Sequence, residues 1–360
     1  MTPPQPIPVH RVAGTHHEVG TQLGEIGGDL IRRGVEESFA ELPASRTRAD
    51  QIALAAAYRA FTEPRLPWLV EELDACADAA RVERDALFAT MLEEIWYEPL
   101  TAKTEGRCTD LVAGPTATTD GHLLVAHNND LHPDREADLM ALEIAVTGDP
   151  IIFQIGGVPW LSVGWNAAGL SLTGNELTPN DERVGISRSL QVLEMMRART
   201  MDEMLAMALR EDRASSYNNV LSGADGNVSN VEGSATDAEV TGLDDASHLV
   251  HTNHYVCDRM QRFEGDPAYA RRSAVRYRRG RQLLAAAAPG SLTVESLRGM
   301  LADHETRPDS LCRHPEFGTP TEKTVFWCVA DVTKGRIEFG RGNPCDSTAQ
   351  TYRFTDYRAA

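Results

Sequence analysis

Apolar residues recur at intervals of three and four through the first hundred positions, and closer to every second position beyond them. In residues 16–42, Val19, Leu23, Ile26, Leu30, Ile31, Val35 and Phe39 form one stripe with charged residues between them, the pattern of a helix with one buried face. The pattern repeats over residues 49–62 and 66–80, with Pro64 and Pro67 placed where helices start. A fourth helix is expected over 85–97, ending before Pro99, and residues 101–107 read as an accessible polar turn. From residue 108 the period shortens. Strand-like runs cover 108–113, 122–128, 139–146, 151–155, 161–165 and 170–173. Gly114-Pro115, Asp120-Gly121, Gly148-Asp149-Pro150 and Gly156-Gly157 separate them as turns.

Helices are expected again over 187–199 and 202–210, then a hairpin of 217–222 and 227–232 around Ala224-Asp225-Gly226. Residues 233–247 are polar and acidic and read as a loop. Helices over 267–287 and 293–304 precede a closing hairpin of 323–331 and 336–340. Segregated runs of helix and strand, with no internal repeat, indicate an α+β fold of sheet and helix layers. A chain of 360 residues makes one large domain or two ordinary ones.

The formal net charge of −18 argues against nucleic acid or an anionic membrane as partner and suits a self-repelling monomer or small homo-oligomer. Lysine occurs only at 103, 323 and 334, so nearly all positive charge is arginine. Six scattered cysteines without a paired spacing read as reduced thiols of a cytoplasmic protein. The proline-rich residues 1–9 lack the basic and apolar regions of a secretory leader, and no apolar run reaches membrane-spanning length.

Candidate chemistry centres on Cys108, in Glu105-Gly106-Arg107-Cys108-Thr109-Asp110, where the helical pattern gives way to strands. If the bond before it is cut, Cys108 carries a thiol and a free α-amine, a complete nucleophile–base pair. The plainer reading is a buried cysteine acting as a small hydrophobe. Asp130, at the end of the second strand after the cysteine, could hold that amine or serve only its own turn. Asn175, just past another strand, and Asn253, in His251-Thr252-Asn253-His254, could donate to a developing oxyanion or satisfy local turns. His248, His251 and His254 invite a metal reading, but an interval of three on a strand puts successive side chains on opposite faces. Arg313, in Ser310-Leu311-Cys312-Arg313-His314, could bind a carboxylate or lie on the surface.

In order and spacing, Cys108-Thr109, Asn129-Asp130, residues 169–175, His251-Thr252-Asn253-His254, residues 310–314 and Gly342-Asn343-Pro344-Cys345 resemble the acyl-coenzyme A:6-aminopenicillanic-acid acyltransferase family of cysteine N-terminal-nucleophile (Ntn) hydrolases. The resemblance implies a four-layer αββα sandwich made as a precursor that cuts itself between Arg107 and Cys108. Residues 1–107 would become a helical N-terminal chain and 108–360 the catalytic chain, both within one structural domain. By the same likeness Cys108 is the nucleophile, Asp130 anchors its amine, Asn175 and Asn253 form the oxyanion hole, and Arg313 lies near the nucleophile. Arg107 stands where family members often have glycine.

The function expected is a self-processing N-terminal-cysteine amidohydrolase acting on a small acyl amide through an acyl-enzyme on Cys108, with no cofactor and no metal. The acyl group comes from an amide or a thioester. An acyl-coenzyme-A-dependent N-acyltransferase is the near alternative. A metal-dependent hydrolase built on the three histidines and an uncleaved binding protein are the more distant ones.

Overall fold

A strand precedes the first helix. In the computed structural model, which describes residues 5–96 and 107–357, β1 (Val9–Gly14) opens the chain. Helices α1 (His16–Ala40), α2 (Arg48–Thr62), α3 (Pro67–Ala80) and α4 (Arg84–Thr90) follow. Helices α1 and α2 each begin on a reciprocal cap, Thr15 with Glu18 and Thr47 with Asp50. Helix α1 lies tightly on α3 because Gly20 and Gly24 have no side chain: a Cβ there would stand 2.1 Å from Glu72 O and 2.3 Å from Cys76 O.

Helix α4 stops at Thr90, well short of residue 97. The chain leaves the helical path in a 3-10 turn, Glu93–Ile95, that carries Glu94 inward. There its carboxylate accepts from Ser187 Oγ (2.8 Å), Arg188 N (3.0 Å) and Ser215 Oγ (2.6 Å). Tyr97 and the expected polar turn at 101–106 lie outside the described residues.

The second part of the chain runs β2 (Arg107–Ala113), β3 (Leu124–Leu131), β4 (Met140–Val146), β5 (Ile152–Gly156), β6 (Leu161–Asn166) and β7 (Leu170–Asn175). After α5 (Arg188–Met195) and α6 (Met201–Ala208) come β8 (Asn218–Gly223), β9 (Val228–Gly233), β10 (Ala238–Thr241) and β11 (His248–His251). Helices α7 (Pro267–Ala286) and α8 (Val294–Leu301) lead to β12 (Lys323–Asp331), β13 (Arg336–Arg341) and β14 (Gln350–Arg353).

The strands form two sheets: one of eight in the order β1-β4-β5-β6-β7-β8-β9-β10, and one of six in the order β11-β2-β3-β12-β13-β14. Their facing sides share a core that includes Val112, Val125 and Phe326 from the smaller sheet and Phe153, Trp165 and Val220 from the larger. The outer side of the larger sheet is covered by α1, α3, α5 and α6, through Val19, Leu23, Met195 and Met204 on Leu142, Ile144 and Leu172. The outer side of the smaller sheet is covered by α7 and α8, through Leu284, Leu297 and Leu301 on Leu111, Ala126 and Val329. The result is an α+β sandwich of four layers, αββα.

Three strands depart from the pattern. The segment expected as a loop at 233–247 contains β10, and β1 and β14 were not foreseen. All three are sheet edges, partly exposed, so they lack the apolar alternation that marks an inner strand. Strands β3 and β7 run further than expected, to Leu131 and Asn175, because their ends carry buried polar side chains in place of apolar ones.

Candidate active site

Cys108 is the second residue of β2, 7% exposed, with Arg107 before it at 5%. Alternation along the strand turns Cys108, Asp110 and Val112 toward the space between the sheets, and Arg107, Thr109 and Leu111 toward α7 and α8. The neighbour on one side is β3, whose Asn129 stands opposite Cys108. Asn129 Nδ2 lies 3.5 Å from the Cys108 Sγ and donates to Ser162 Oγ of β6 at 2.6 Å. The neighbour on the other side is β11. Its register pairs His251 with Asp110, so two residues further on the chain brings Asn253 to Cys108.

The Cys108 N–H donates to Asn253 Oδ1 at 2.8 Å. The same oxygen accepts from Arg276 Nη2 (2.9 Å) and Tyr269 OH (3.4 Å), and the Asn253 Nδ2 donates to Glu176 O (3.1 Å). Arg276, fully buried on α7, donates through Nη1 to Cys108 O (2.5 Å) and Thr109 Oγ1 (2.9 Å), and through Nη2 to Tyr269 OH (2.8 Å). One guanidinium thus fixes the carbonyl of Cys108 and the amide that receives its N–H.

Sequence reasoning missed Arg276 because it sits in an arginine-rich helix. The signal lies in the spacing. Tyr269, Ser273, Arg276, Gly280 and Leu284 form the buried stripe of α7, and an arginine on such a stripe must serve buried acceptors. Asn129, within the Asn129-Asp130 motif, and the buried Asp110–His127 pair (2.9 Å) lie on the same face as Cys108, and the sequence assigns them no role of their own because polar residues inside a strand look like a strand end.

Asp130 stands opposite Arg107, beside the bond before the cysteine and on the helical face of the sheet. Its Oδ1 accepts from Thr324 Oγ1 at 2.6 Å, and its Oδ2 is buried with no hydrogen-bond partner among the described residues. Burial pushes this carboxyl above its usual range, against the pull of Arg276, Arg313 and Thr324. Arg313 donates its main-chain N–H to Thr324 Oγ1 (2.9 Å), and its buried guanidinium pairs with Glu322 and with Asp309 (3.3 Å). Its Nε and Nη1 have no hydrogen-bond partner among the described residues.

The bond expected in an accessible turn lies in a buried strand. Arg107 is drawn inward because its charge has partners there: the guanidinium carbon is 3.1 Å from the Tyr269 ring centroid, and Nε is 3.4 Å from Glu322 Oε1. Burial, reinforced by Asp130 and Asp110 and opposed by Arg276, pushes the Cys108 thiol well above its ordinary pKa. With the Arg107–Cys108 bond intact, the thiol is therefore protonated at neutral pH.

Asn175 ends β7, a strand of the larger sheet packed against β2. Its Oδ1 meets His251 Nδ1 (2.9 Å) and Asn218 Nδ2 (3.2 Å), and its buried Nδ2 has no partner among the described residues. The three histidines do not share a ligand point. His251 Nε2 binds Glu232 Oε1 at 2.8 Å, His254 Nδ1 meets Ser273 Oγ at 2.9 Å, and the two rings are 6.5 Å apart. Burial would raise Glu232, but His251 and the amides of Val256 and Cys257 outweigh it and hold this carboxyl below its usual range.

Two variants of conjugated bile acid hydrolase from Clostridium perfringens align with the fold at TM-scores of 0.43 and 0.45 and identities of 12% and 13%. The alignments cover 69% and 70% of this chain and 98% and 99% of theirs. Penicillin V acylase from Agrobacterium tumefaciens aligns at a TM-score of 0.36 and 12% identity, over 70% of this chain and 80% of that one. No curated protein matches the sequence. The family described as acyl-coenzyme A:6-aminopenicillanic acid acyl-transferase matches residues 116–346, a span that starts after Cys108 and takes in Asp130, Asn175, Asn253 and Arg313. With more than half of its length matched, the chain belongs to the acyl-coenzyme A:6-aminopenicillanic acid acyl-transferase family.

Proposed function

We propose that the chain is the precursor of an N-terminal-cysteine amidohydrolase, activated by breaking the Arg107–Cys108 bond. The observation that carries this reading is the 2.8 Å hydrogen bond from the Cys108 N–H to Asn253, a site ready to receive an α-amine on the same nitrogen. Self-cleavage begins with attack of the Cys108 sulfur on the Arg107 carbonyl carbon. The peptide C–N bond breaks, an Arg107 thioester forms, and the nitrogen gains a proton as the α-amine. Water then hydrolyses the thioester, leaving an Arg107 carboxylate and the Cys108 thiol.

The released amine changes the thiol's chemistry. An α-amine titrates at about 7.7–8.0 and an unperturbed thiol at about 8.5, so the amine can take the thiol proton near neutral pH. Asp130, beside the cut bond with an Oδ2 that has no partner among the described residues, anchors the resulting ammonium. The thiolate attacks the acyl carbonyl, and the ammonium protonates the leaving amine. Water resolves the acyl-enzyme.

Asn175 and Asn253 supply the oxyanion donors, and Asn129, 3.5 Å from Sγ, is a third amide in reach. Asn175 is the stronger candidate because its buried Nδ2 has no partner among the described residues, whereas the Asn253 Nδ2 must exchange its bond to Glu176 O. Arg313 balances the charge of Asp130.

Acyl transfer from a coenzyme A thioester to an amine is the second reading, favoured by the family match. It differs only in whether an amine or water attacks the acyl-enzyme. No helix among the described residues is long and apolar enough to cross a membrane, and with six cysteines outside disulfides we place the protein in the reducing cytoplasm. Intact mass and N-terminal sequencing test the reading: a fragment beginning at Cys108 is expected, together with hydrolysis of small acyl amides or penicillin-type substrates. An uncut chain that turns over these substrates would overturn it. Assays with and without an acyl-coenzyme A and 6-aminopenicillanic acid separate hydrolysis from transfer.

A further inference from the structure

Away from Cys108, four residues that the acyl chemistry does not use meet at one point. His304 lies just beyond α8, Cys312 and His314 lie on the segment leading to β12, and Cys345 follows β13. Their ligand atoms all lie within 4.8 Å of one another. We propose that they form a four-coordinate Cys2His2 zinc site, closed by protein ligands and structural in role.

The spacing of the ligand atoms carries the proposal. The two imidazole Nε2 atoms are 3.2 Å apart, each sulfur is 3.4 Å from His314 Nε2, and the two sulfurs are 3.8 Å apart. A tetrahedron with Zn–S of about 2.3 Å and Zn–N of about 2.0–2.1 Å has edges about 1.6 times the bond length. That gives about 3.8 Å between sulfurs, about 3.3 Å between nitrogens and about 3.5 Å between unlike ligands. Four of the six edges agree with these values within about 0.2 Å, and the remaining two, from His304 Nε2 to the sulfurs, lie within 4.8 Å. A disulfide would instead bring the sulfurs to about 2.05 Å.

The surrounding groups fit the same role. Glu316 Oε1 lies 3.3 Å from His314 Nδ1, the carboxylate–imidazole contact that turns the other ring nitrogen toward a metal. Asn343 Nδ2 lies 3.3 Å from Cys312 Sγ, where it donates to a thiolate. The Phe317 ring packs on both imidazoles, at 5.4 Å and 4.8 Å between centroids. Cys312 is buried and Cys345 is exposed, so an ion enters from solvent and closes over the buried thiol. Binding releases one proton from each thiol, and the two thiolates neutralise the dication.

The ion would join three separate segments and fix the main chain on both sides of Arg313. Asn343 Nδ2 also donates to Arg313 O at 2.7 Å, so metal, amide and arginine are tied together. The site holds the segment that carries Arg313 but does not itself reach Cys108.

Metal analysis of the reduced full chain, purified without chelator and supplemented with zinc, tests the proposal. One zinc per chain is expected. Cobalt loading is expected to give thiolate-to-cobalt charge-transfer bands with the intense visible bands of a tetrahedral ion. The Cys312→Ser/Cys345→Ser double variant should lose the zinc, and His248→Gln should keep it. Glu316→Gln should weaken zinc binding by about 10-fold in competition with a chromophoric chelator.

Absence of stoichiometric zinc, a Cys312–Cys345 disulfide in protein alkylated at lysis, or full zinc retention in the double variant would each overturn the proposal. If the double variant does not fold, zinc content and the cobalt spectrum of the unmodified chain decide. None of these readouts depends on cleavage at Cys108.

Discussion

Asn253 Oδ1 accepts the main-chain N–H of Cys108 at 2.8 Å, although the two residues are 145 positions apart in the chain. The contact follows from strand register: β11 lies on β2, and its continuation carries Asn253 alongside the cysteine. A side-chain amide thus takes the place of a ladder partner at the nitrogen that cleavage would turn into a base.

Asn253→Ala removes this acceptor and leaves the Cys108 N–H and Arg276 Nη2 short of a partner. Turnover is expected to fall by about 100-fold or more, with the circular dichroism spectrum unchanged. A variant with full turnover would remove Asn253 from the mechanism.

Cys108→Ala is expected to stay a single chain on denaturing gels and to show no acyl-amide turnover. Cys108→Ser should be cut slowly and turn over far more slowly than the parent, because a hydroxyl is much less acidic than a thiol. Intact mass over time measures the first effect and single-turnover acylation the second.

Arg276→Met is expected to destabilise the fold by about 3 kcal/mol or more, read as a lowered urea midpoint. It strips partners from Cys108 O, Thr109 Oγ1, Asn253 Oδ1 and Tyr269 OH, all inside the protein. Cleavage before Cys108 should slow as well, since the carbonyl of Cys108 loses its anchor. A variant of parental stability would show that these groups satisfy one another without the guanidinium.

Two titrations should give opposite slopes of stability with pH. Burial, then repulsion from His251 and Arg276, lowers His254 to about 4 from an ordinary 6.5. Folded His254 binds fewer protons than unfolded, so its contribution is present above pH 6.5 and lost as pH falls toward 4. Burial raises Glu264 to about 7 from 4.5, so its folded form binds more protons, and its contribution is lost as pH rises from 4.5 to about 7. Each slope reaches up to about 1.4 kcal/mol per pH unit and the two oppose each other. His254→Gln should make stability fall more steeply with rising pH, and Glu264→Gln should do the reverse, measured by urea unfolding across this window. Unchanged slopes in both variants would contradict the assignment.

The layers of the fold were legible in the sequence because the inner strands and the helices that cover them keep their apolar periods. Edge strands such as β1 and β10 were not, since an edge half in water carries no alternation. At the site, Asp130, Asn175, Asn253 and Arg313 were singled out by motif, and each is buried in the structure. Arg276 was hidden by the arginines around it, and only its place on the buried stripe of α7 sets it apart. The sequence makes Arg107 look like part of an exposed turn because no pattern in it shows that Tyr269 and Glu322 wait beneath. The cluster at His304, Cys312, His314 and Cys345 has no motif spacing because its ligands come from three segments.

Strand β1 lies on the N-terminal side of the bond proposed to break, yet it is hydrogen-bonded to β4 from Val9 beside Ala141 to Gly14 beside Val146. Val19 and Leu23 of α1 share a core with Leu142 and Ile144 of the same sheet. A break before Cys108 would divide the covalent chain without dividing the folded molecule. The two pieces should travel as one particle through gel filtration and part only in denaturant, so maturation would leave the enzyme's mass in solution nearly unchanged while altering its chemistry at a single nitrogen.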